Sequence, residues 1–333
     1  MDIKQHILES AKKAGGKIIL PESFDTRVLK AAEMLTKDKI ASVVLPTESI
    51  DRVKKDALQA GIDLDGIEII TINQSLLDSN KVHEFVNARV KKGMTEHDVL
   101  ELLKKPLYFS MMYLKSGKCN ACVGGAVYDT ADVLRSSIRI IGTAEGIKII
   151  SSYFLMIPPV NHPFIKEPIM FTDCGVNPDP QALGLKDIAV STVANFKKLF
   201  PDKTANVAML SFSTKGSASS KILSKVIEAT ELTKQHFNGC SDVNVDGELQ
   251  FDASVVPSVG KRKAPDSLVA GKANIMVFPD LNSGNIGYKI AERFGGFQAL
   301  GPIIQGLALP VSDLSRGSSA DDIYLISALM LLK

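Results

Sequence analysis

The stretch Leu314-Ser315-Arg316-Gly317-Ser318-Ser319 carries residue types that can grip an anion. It joins GLALPVSDL, which reads as a strand, to DDIYLISALMLL, which reads as a helix. A small turn at a helix N-terminus aims backbone N–H groups and a partial positive charge at one point, which suits a phosphate. Arg316 would add a permanently charged fork able to hold two phosphoryl oxygens. Similar Gly-, Ser- and Asn-rich turns are expected at SFSTKGSASS (211–220) and PDLNSGNIGY (279–288). One such turn says little in an α/β protein, but three together, one holding an arginine, point to phosphate chemistry.

Asp322 has two readings. Ser319-Ala-Asp-Asp322 fits a capping box, with Ser319 as N-cap and Asp322 three residues on. The same carboxylate beside an anion site could also act on a proton. Arg27, Arg89, Arg135 and Arg293 each fall on or beside an expected helix, where a solvated surface arginine is the default. Cys119-Asn-Ala-Cys122 has C-x-x-C spacing, yet no second pair completes a zinc site and no redox-type helix follows, so it reads as structural. The five histidines are scattered, and neither G-x-G-x-x-G after a strand nor G-x-x-x-x-G-K-[ST] occurs. Metal, dinucleotide and P-loop chemistry therefore lack their signatures.

The elements that would position these residues alternate. GKIILPES reads as a buried strand, and Asp25 then caps a helix with Val28, Ala31, Ala32 and Leu35 on one face. IASVVLP, IEIITI, NACVGGAV, IMFTDCGV, VAMLSFSTKG, ANIMVFPDL and GLALPVSDL are further strand candidates, most followed by helical periods. Helices are expected over 95–104 and 106–115, the second stopped by Gly117. Strand–helix alternation implies a mainly parallel sheet covered by helices. A chain of 333 residues is long enough for about two domains. Its 45% hydrophobic and 23% charged residues match a globular protein, and the net charge of +2 offers no basic stripe for nucleic acid. The opening MDIKQHILESAKKAGGK reads as an amphipathic surface helix rather than a secretion signal, and Ile323 to Leu332 is about half the ~20 residues of a membrane span. Four cysteines make no disulfide framework. A cytoplasmic enzyme, with no nucleic-acid or membrane partner, is expected.

Several long segments resemble the phosphate acetyl/butyryltransferase family: PESFDTRVLKAA, ADVLRSSIRIIGTA, VAMLSFSTKGSA, DGELQFDASVVP, KAPDSLVAGKANIMVFPDLNSGNIGYKIAER and GPIIQGLALPVSDLSRGSSADDI. The resemblance runs nearly the whole length. It implies reversible acetyl transfer between CoA and inorganic phosphate, with CoA, acetyl-CoA, phosphate and acetyl phosphate as substrates and no metal or prosthetic group. It also implies a two-domain α/β/α architecture with parallel sheets, similar to the isocitrate dehydrogenase-like fold. The active site would lie in the interdomain cleft, and the enzyme would be a homodimer. The first domain would be 1–146 plus 307–333, and the second 147–306. Matched position by position, Ser315, Arg316 and Asp322 would be catalytic. Arg27, Arg89, Arg135 and Arg293 would meet the anionic groups of the substrates, mainly CoA phosphates. Thr130, Gly317 and Ser318 would form the phosphate-binding loop.

The implied base is a demanding one. Moving a proton from a thiol of pKa ~8.5 to an ordinary aspartate at ~3.9 is uphill by roughly 6 kcal/mol. Two departures from the family pattern stand near the site. Tyr128-Asp129-Thr130 replaces small or hydroxyl residues, and Asp129 beside a phosphate would repel it. Ser136 follows Arg135 where proline is common. Phosphate butyryltransferase is the alternative within the family. A decarboxylating NAD(P) dehydrogenase would need a metal-binding aspartate cluster, and a non-catalytic sensor would be expected to lose Ser315, Arg316 or Asp322.

Overall fold

The computed structural model describes residues 3–332. The chain divides into two compact units, Met1–Ala144 with Leu307–Lys333, and Glu145–Gly306.

The first unit opens with α1 (Ile3–Ala14), β1 (Lys17–Ile19), α2 (Thr26–Lys37), β2 (Ser42–Thr47), α3 (Ile50–Gln59) and β3 (Glu68–Thr71). It continues through α4 (Ser79–Val90), α5 (Glu96–Leu102), α6 (Pro106–Lys115), β4 (Ala121–Gly124) and α7 (Thr130–Ile140). The second unit contains β5 (Ser151–Ile157), β6 (Ile169–Thr172), α8 (Ala182–Leu199), β7 (Ala205–Leu210), α9 (Ser224–His236) and β8 (Val243–Leu249). It ends with α10 (Phe251–Val255), α11 (Pro257–Lys263), β9 (Ile275–Val277), α12 (Leu281–Arg293) and β10 (Gln298–Gln305). The chain then returns to the first unit with β11 (Val311–Asp313) and α13 (Ala320–Leu329).

The first sheet is wholly parallel, in the order β11-β4-β1-β2-β3. The apolar runs behind it are buried on both sides, as parallel strands require. Ile18 and Ile19 of β1 and Cys122 of β4 have no exposed surface. α2 packs with α13, which also meets α1, whereas α6 packs with α7 and α4. The local reading of α2 holds: the Asp25 side chain accepts the Arg27 N–H, and Val28, Ala31, Ala32 and Leu35 are buried. Pro106 stands at the start of α6, and Gly117 follows its end at φ +71°. Cys119 and Cys122 are buried free thiols, and burial pushes Cys119 up to about 12, so both serve packing.

The second sheet has the order β10-β5-β6-β9-β7-β8. β5 alone runs against its neighbours β6 and β10. The 158–168 connection contains no helix, and a parallel return would need a crossover of a dozen or more residues. A core of Phe154, Met156, Phe171, Leu210 and Met276, among others, fills this unit.

Three features depart from the sequence reading. The segment 279–288 is not a turn: the Asp280 side chain accepts the Ser283 N–H, so α12 begins at Leu281 and takes in Gly284 and Gly287. Gly284 is needed there because a Cβ would lie 2.3 Å from the Asp173 carbonyl oxygen. β8 escaped assignment because its acids, Asp246 and Glu248, are buried rather than turned to water. Lys215 answers the first, and the Ser213 hydroxyl and Gly216 N–H answer the second. β10 contains Gly301-Pro302, a turn signal by sequence, which the sheet absorbs as an irregularity between Leu300 and Ile303.

Candidate active site at the strand ends of the first unit

From β1 the chain builds outward through β2 to β3, then crosses back so that β4 lies on the other side of β1. The connections leaving β1 and β4 therefore diverge, and the carboxyl ends of such strands at a reversal of order are where open α/β sheets bind ligands. β11 pairs with β4, so the turns after three adjacent parallel strands, 20–25, 125–129 and 314–319, share this edge.

Glu22 shapes the middle turn. It is fully buried, with Oε2 accepting the N–H groups of Gly125 and Ala126 at 3.0 Å each. Its Oε1 accepts those of Val127 at 2.7 Å and Tyr128 at 2.8 Å. Four amides thus answer one buried carboxylate, which satisfies it within the turn. Gly125 is required here, at φ +105°, because a Cβ would fall 2.2 Å from Asp313 Oδ1.

Arg27 ties the turns together. Its Nε and one terminal nitrogen bond the Asp25 carboxylate at 3.0 and 2.8 Å. That nitrogen also donates to the Ala126 carbonyl at 2.9 Å, and the other reaches the carbonyls of Arg316 and Ser318 at 2.8 and 2.9 Å. All five N–H donors of the fork are thereby used within the protein.

The third turn is compact. The Ser318 N–H bonds the Ser315 carbonyl at 2.8 Å, and the Gly317 N–H bonds Ser315 Oγ at 3.2 Å. Arg316 points outward with its side chain 74% exposed and pairs with Asp129 at 3.0 Å. The structure thus brings together Arg27, Thr130, Ser315, Arg316, Gly317 and Ser318. Asp322 joins them through a full capping box: the Ser319 N–H and hydroxyl donate to Asp322 Oδ2 at 3.0 and 2.8 Å, and the Asp322 N–H returns to Ser319 Oγ at 3.1 Å.

The remaining arginines stand apart from these contacts. Arg135 lies further along α7 and pairs with Asp132. Arg89, in the last turn of α4, lies over the Phe85 ring at 5.8 Å, with its Nε buried and without a hydrogen-bond partner. Arg293 is in the second unit, at the end of α12, exposed beside Glu292.

Sequence reasoning passed over Glu22 and Asp313. Glu22 comes shortly after the apolar run KIIL and Asp313 closes VSD before LSRG, which was the available signal. Asp313 accepts the Thr130 hydroxyl on Oδ2 at 2.6 Å, while its Oδ1 is buried and has no hydrogen-bond partner. Asp129 also has a role that repulsion alone did not suggest, since it serves as the counter-ion of Arg316.

A parallel α/β unit with an arginine-bearing turn and helix N-terminus at its switch point defines a class of anion-handling enzymes. The chain matches the family described as "Phosphate acetyl/butaryl transferase" over residues 2–331, and it belongs to that family of acyltransferases. A phosphate acetyltransferase of Acetivibrio thermocellus is 44% identical over 99% of this chain and 97% of the relative. One from Thermoanaerobacterium thermosaccharolyticum is 45% identical over 97% and 96%. A phosphotransacetylase structure from Streptococcus pyogenes superposes with TM-score 0.88 at 40% identity, covering 99% of this chain and 98% of that one.

Proposed function

We propose that the protein is a phosphate acetyltransferase, which moves an acetyl group reversibly between CoA and inorganic phosphate. The observation that carries this reading is identity of 44–45% with phosphate acetyltransferases along nearly the whole chain. The turn Ser315–Ser318 at the switch point supports it. The same relatives favour acetyl over butyryl as the group transferred.

In the direction of acetyl-CoA synthesis, the CoA sulfur attacks the carbonyl carbon of acetyl phosphate. The C–O bond to the phosphoryl group then breaks, and phosphate leaves. Arg316 exchanges the Asp129 carboxylate for phosphoryl oxygens and stabilises them as charge builds. The Ser315 hydroxyl donates to the developing oxyanion, with Thr130, Gly317 and Ser318 forming the loop around the phosphate. Asp322 takes the thiol proton. Because an ordinary aspartate is a weak acceptor for it, the proton moves as the sulfur attacks rather than beforehand. Arg89, Arg135 and Arg293 meet the CoA anions. Arg27 also belongs to this reading; since its donors already hold three turns, its contribution is to the shape of the anion site. The reading extends to a cytoplasmic homodimer that needs no metal or prosthetic group.

The test is release of free thiol from acetyl-CoA by purified protein. Release should depend on added phosphate, survive a chelator and be much slower with butyryl-CoA. Equal or faster turnover of butyryl-CoA would reassign the acyl group, and phosphate-independent release would refute the reading.

A further inference from the structure

Asp313 is 1% exposed at the end of β11, immediately before the Leu314–Ser319 turn. Its Oδ2 receives the Thr130 hydroxyl at 2.6 Å, which joins the first residue of α7 to the strand carrying the Ser315–Ser318 turn. The other oxygen is buried without a hydrogen-bond partner. An ionised carboxylate left that way would bear most of its desolvation cost, whereas a protonated acid needs far less.

Among the described residues, no cation pairs with Asp313 in compensation. On the β1 side, the Glu22 carboxylate is buried against backbone amides, and Arg27 is committed to Asp25 and three carbonyls. On the β4 side, Cys122 pairs in register with Val311, and burial raises its thiol well above the ordinary value. Burial likewise pushes Tyr128 up to about 12, with Glu22 adding to the rise. Asp132 and Arg135 of α7 answer each other, as do Asp129 and Arg316. Asp321 and Asp322, at the start of α13, are acids too.

We propose that Asp313 is a positioning residue of the anion site, a carboxylic acid that works in its protonated form, anchoring Thr130 while keeping the floor of the phosphate pocket free of negative charge. The assignment rests on the phosphate-transfer reading above. Burial pushes Asp313 up to about 7, against the Thr130 hydroxyl and Leu314 amide, which favour the charged form, and Glu22 adds to the rise. Near neutrality, deprotonation would place a second buried anion behind Thr130, where a phosphate dianion has to bind.

The experiment compares wild type with Asp313→Asn, a neutral near-isostere that can still accept the Thr130 hydroxyl, from pH 5.5 to 8.5. Phosphate itself titrates in this range, so the readout is the wild-type to variant ratio of kcat/KM for phosphate, in which that titration cancels. If only the protonated acid is competent, the ratio falls about tenfold between pH 6 and pH 8. Asp313→Ala, which loses the anchor, should be impaired at every pH, and Asp313→Asn should rescue most of that loss at pH 6.

An activity-free readout accompanies this. A raised acid pKa gives stability that is complete below the unfolded value, near 3.9, and lost as pH rises through the folded value. The Tm of Asp313→Asn should therefore gain on wild type between pH 5 and pH 8. A flat activity ratio, or Asn no better than Ala at pH 6, overturns the proposal. If wild type shows no phosphate-dependent transfer, the functional reading fails instead, and a Tm difference independent of pH then overturns the protonated acid as well.

Discussion

Two buried aspartates, each at the end of a strand, show how differently the two units use a carboxylate. Asp173, following β6 in the second unit, accepts the Ser152 N–H and hydroxyl on one oxygen together with the Gly175 and Val176 amides. Its other oxygen takes the Asn177 amide and side chain. Six donors converge on it, so both oxygens are fully hydrogen-bonded within the fold. Asp313, at the end of β11 in the first unit, takes the Thr130 hydroxyl on Oδ2 with the Leu314 amide beside the carboxyl, and its Oδ1 has no hydrogen-bond partner. A saturated carboxylate locks a turn, whereas an unsaturated one keeps a proton in play and costs stability. The strand-end turns of the first unit are therefore read as chemical, and those around Asp173 as structural.

The largest effect expected from this contrast is on turnover. Asp322→Asn should lower kcat on the order of 100-fold or more, the usual range for a lost proton acceptor. Its capping bonds should cost only about 1 kcal/mol, visible as a small fall in Tm. Stopped-flow or steady-state thiol assays with parallel melting curves separate the two roles. A kcat within a few-fold of wild type beside a lowered Tm would leave Asp322 as a cap alone.

Arg316→Ala comes next. Removing a charge-assisted donor aimed at the transferred group typically costs ~3 kcal/mol, roughly 100-fold in kcat/KM for phosphate. Arg316→Lys should recover part of this, because it keeps the charge and loses the fork. Near wild-type kcat/KM in a folded Arg316→Ala protein would move the active site away from this turn.

The structural half of the contrast is tested by Asp173→Ala. Its donors would lose their acceptor inside the second unit, so denaturant unfolding should show a loss of about 2–3 kcal/mol. If stability is unchanged while kcat collapses, the division between chemical and structural aspartates is wrong.

The smallest effect belongs to the rim. Asp129 and Arg316 are 65% and 74% exposed, and such a pair contributes at most about 1 kcal/mol. Asp129→Asn should accordingly lower KM for phosphate by no more than about fivefold, with the gain shrinking in added salt. A raised KM would mean that Asp129 orients Arg316 for the substrate instead of competing with it.

Local rules sufficed for much of this protein from sequence alone. Asp25 capping α2, Pro106 opening α6 and the Ser319–Asp322 box are contacts between neighbours in the chain, and they formed as their residue types require. The apolar runs of β1, β2 and β4 likewise announced buried parallel strands. The resemblance in LSRGSSADDI carried the family, since a long match survives ignorance of the fold. Tertiary structure decided what depends on partners far apart in sequence. The buried acids of β8 looked like surface until Lys215, Ser213 and Gly216 were found against them. Arg27 looked like a free surface arginine until its fork closed on residues 126, 316 and 318. Asp313 was one acid among 37 Asp and Glu residues until folding buried it beside Thr130 and left one oxygen unanswered. Desolvation and hydrogen-bond saturation are properties of the packed environment, so no pattern along the chain could have revealed them.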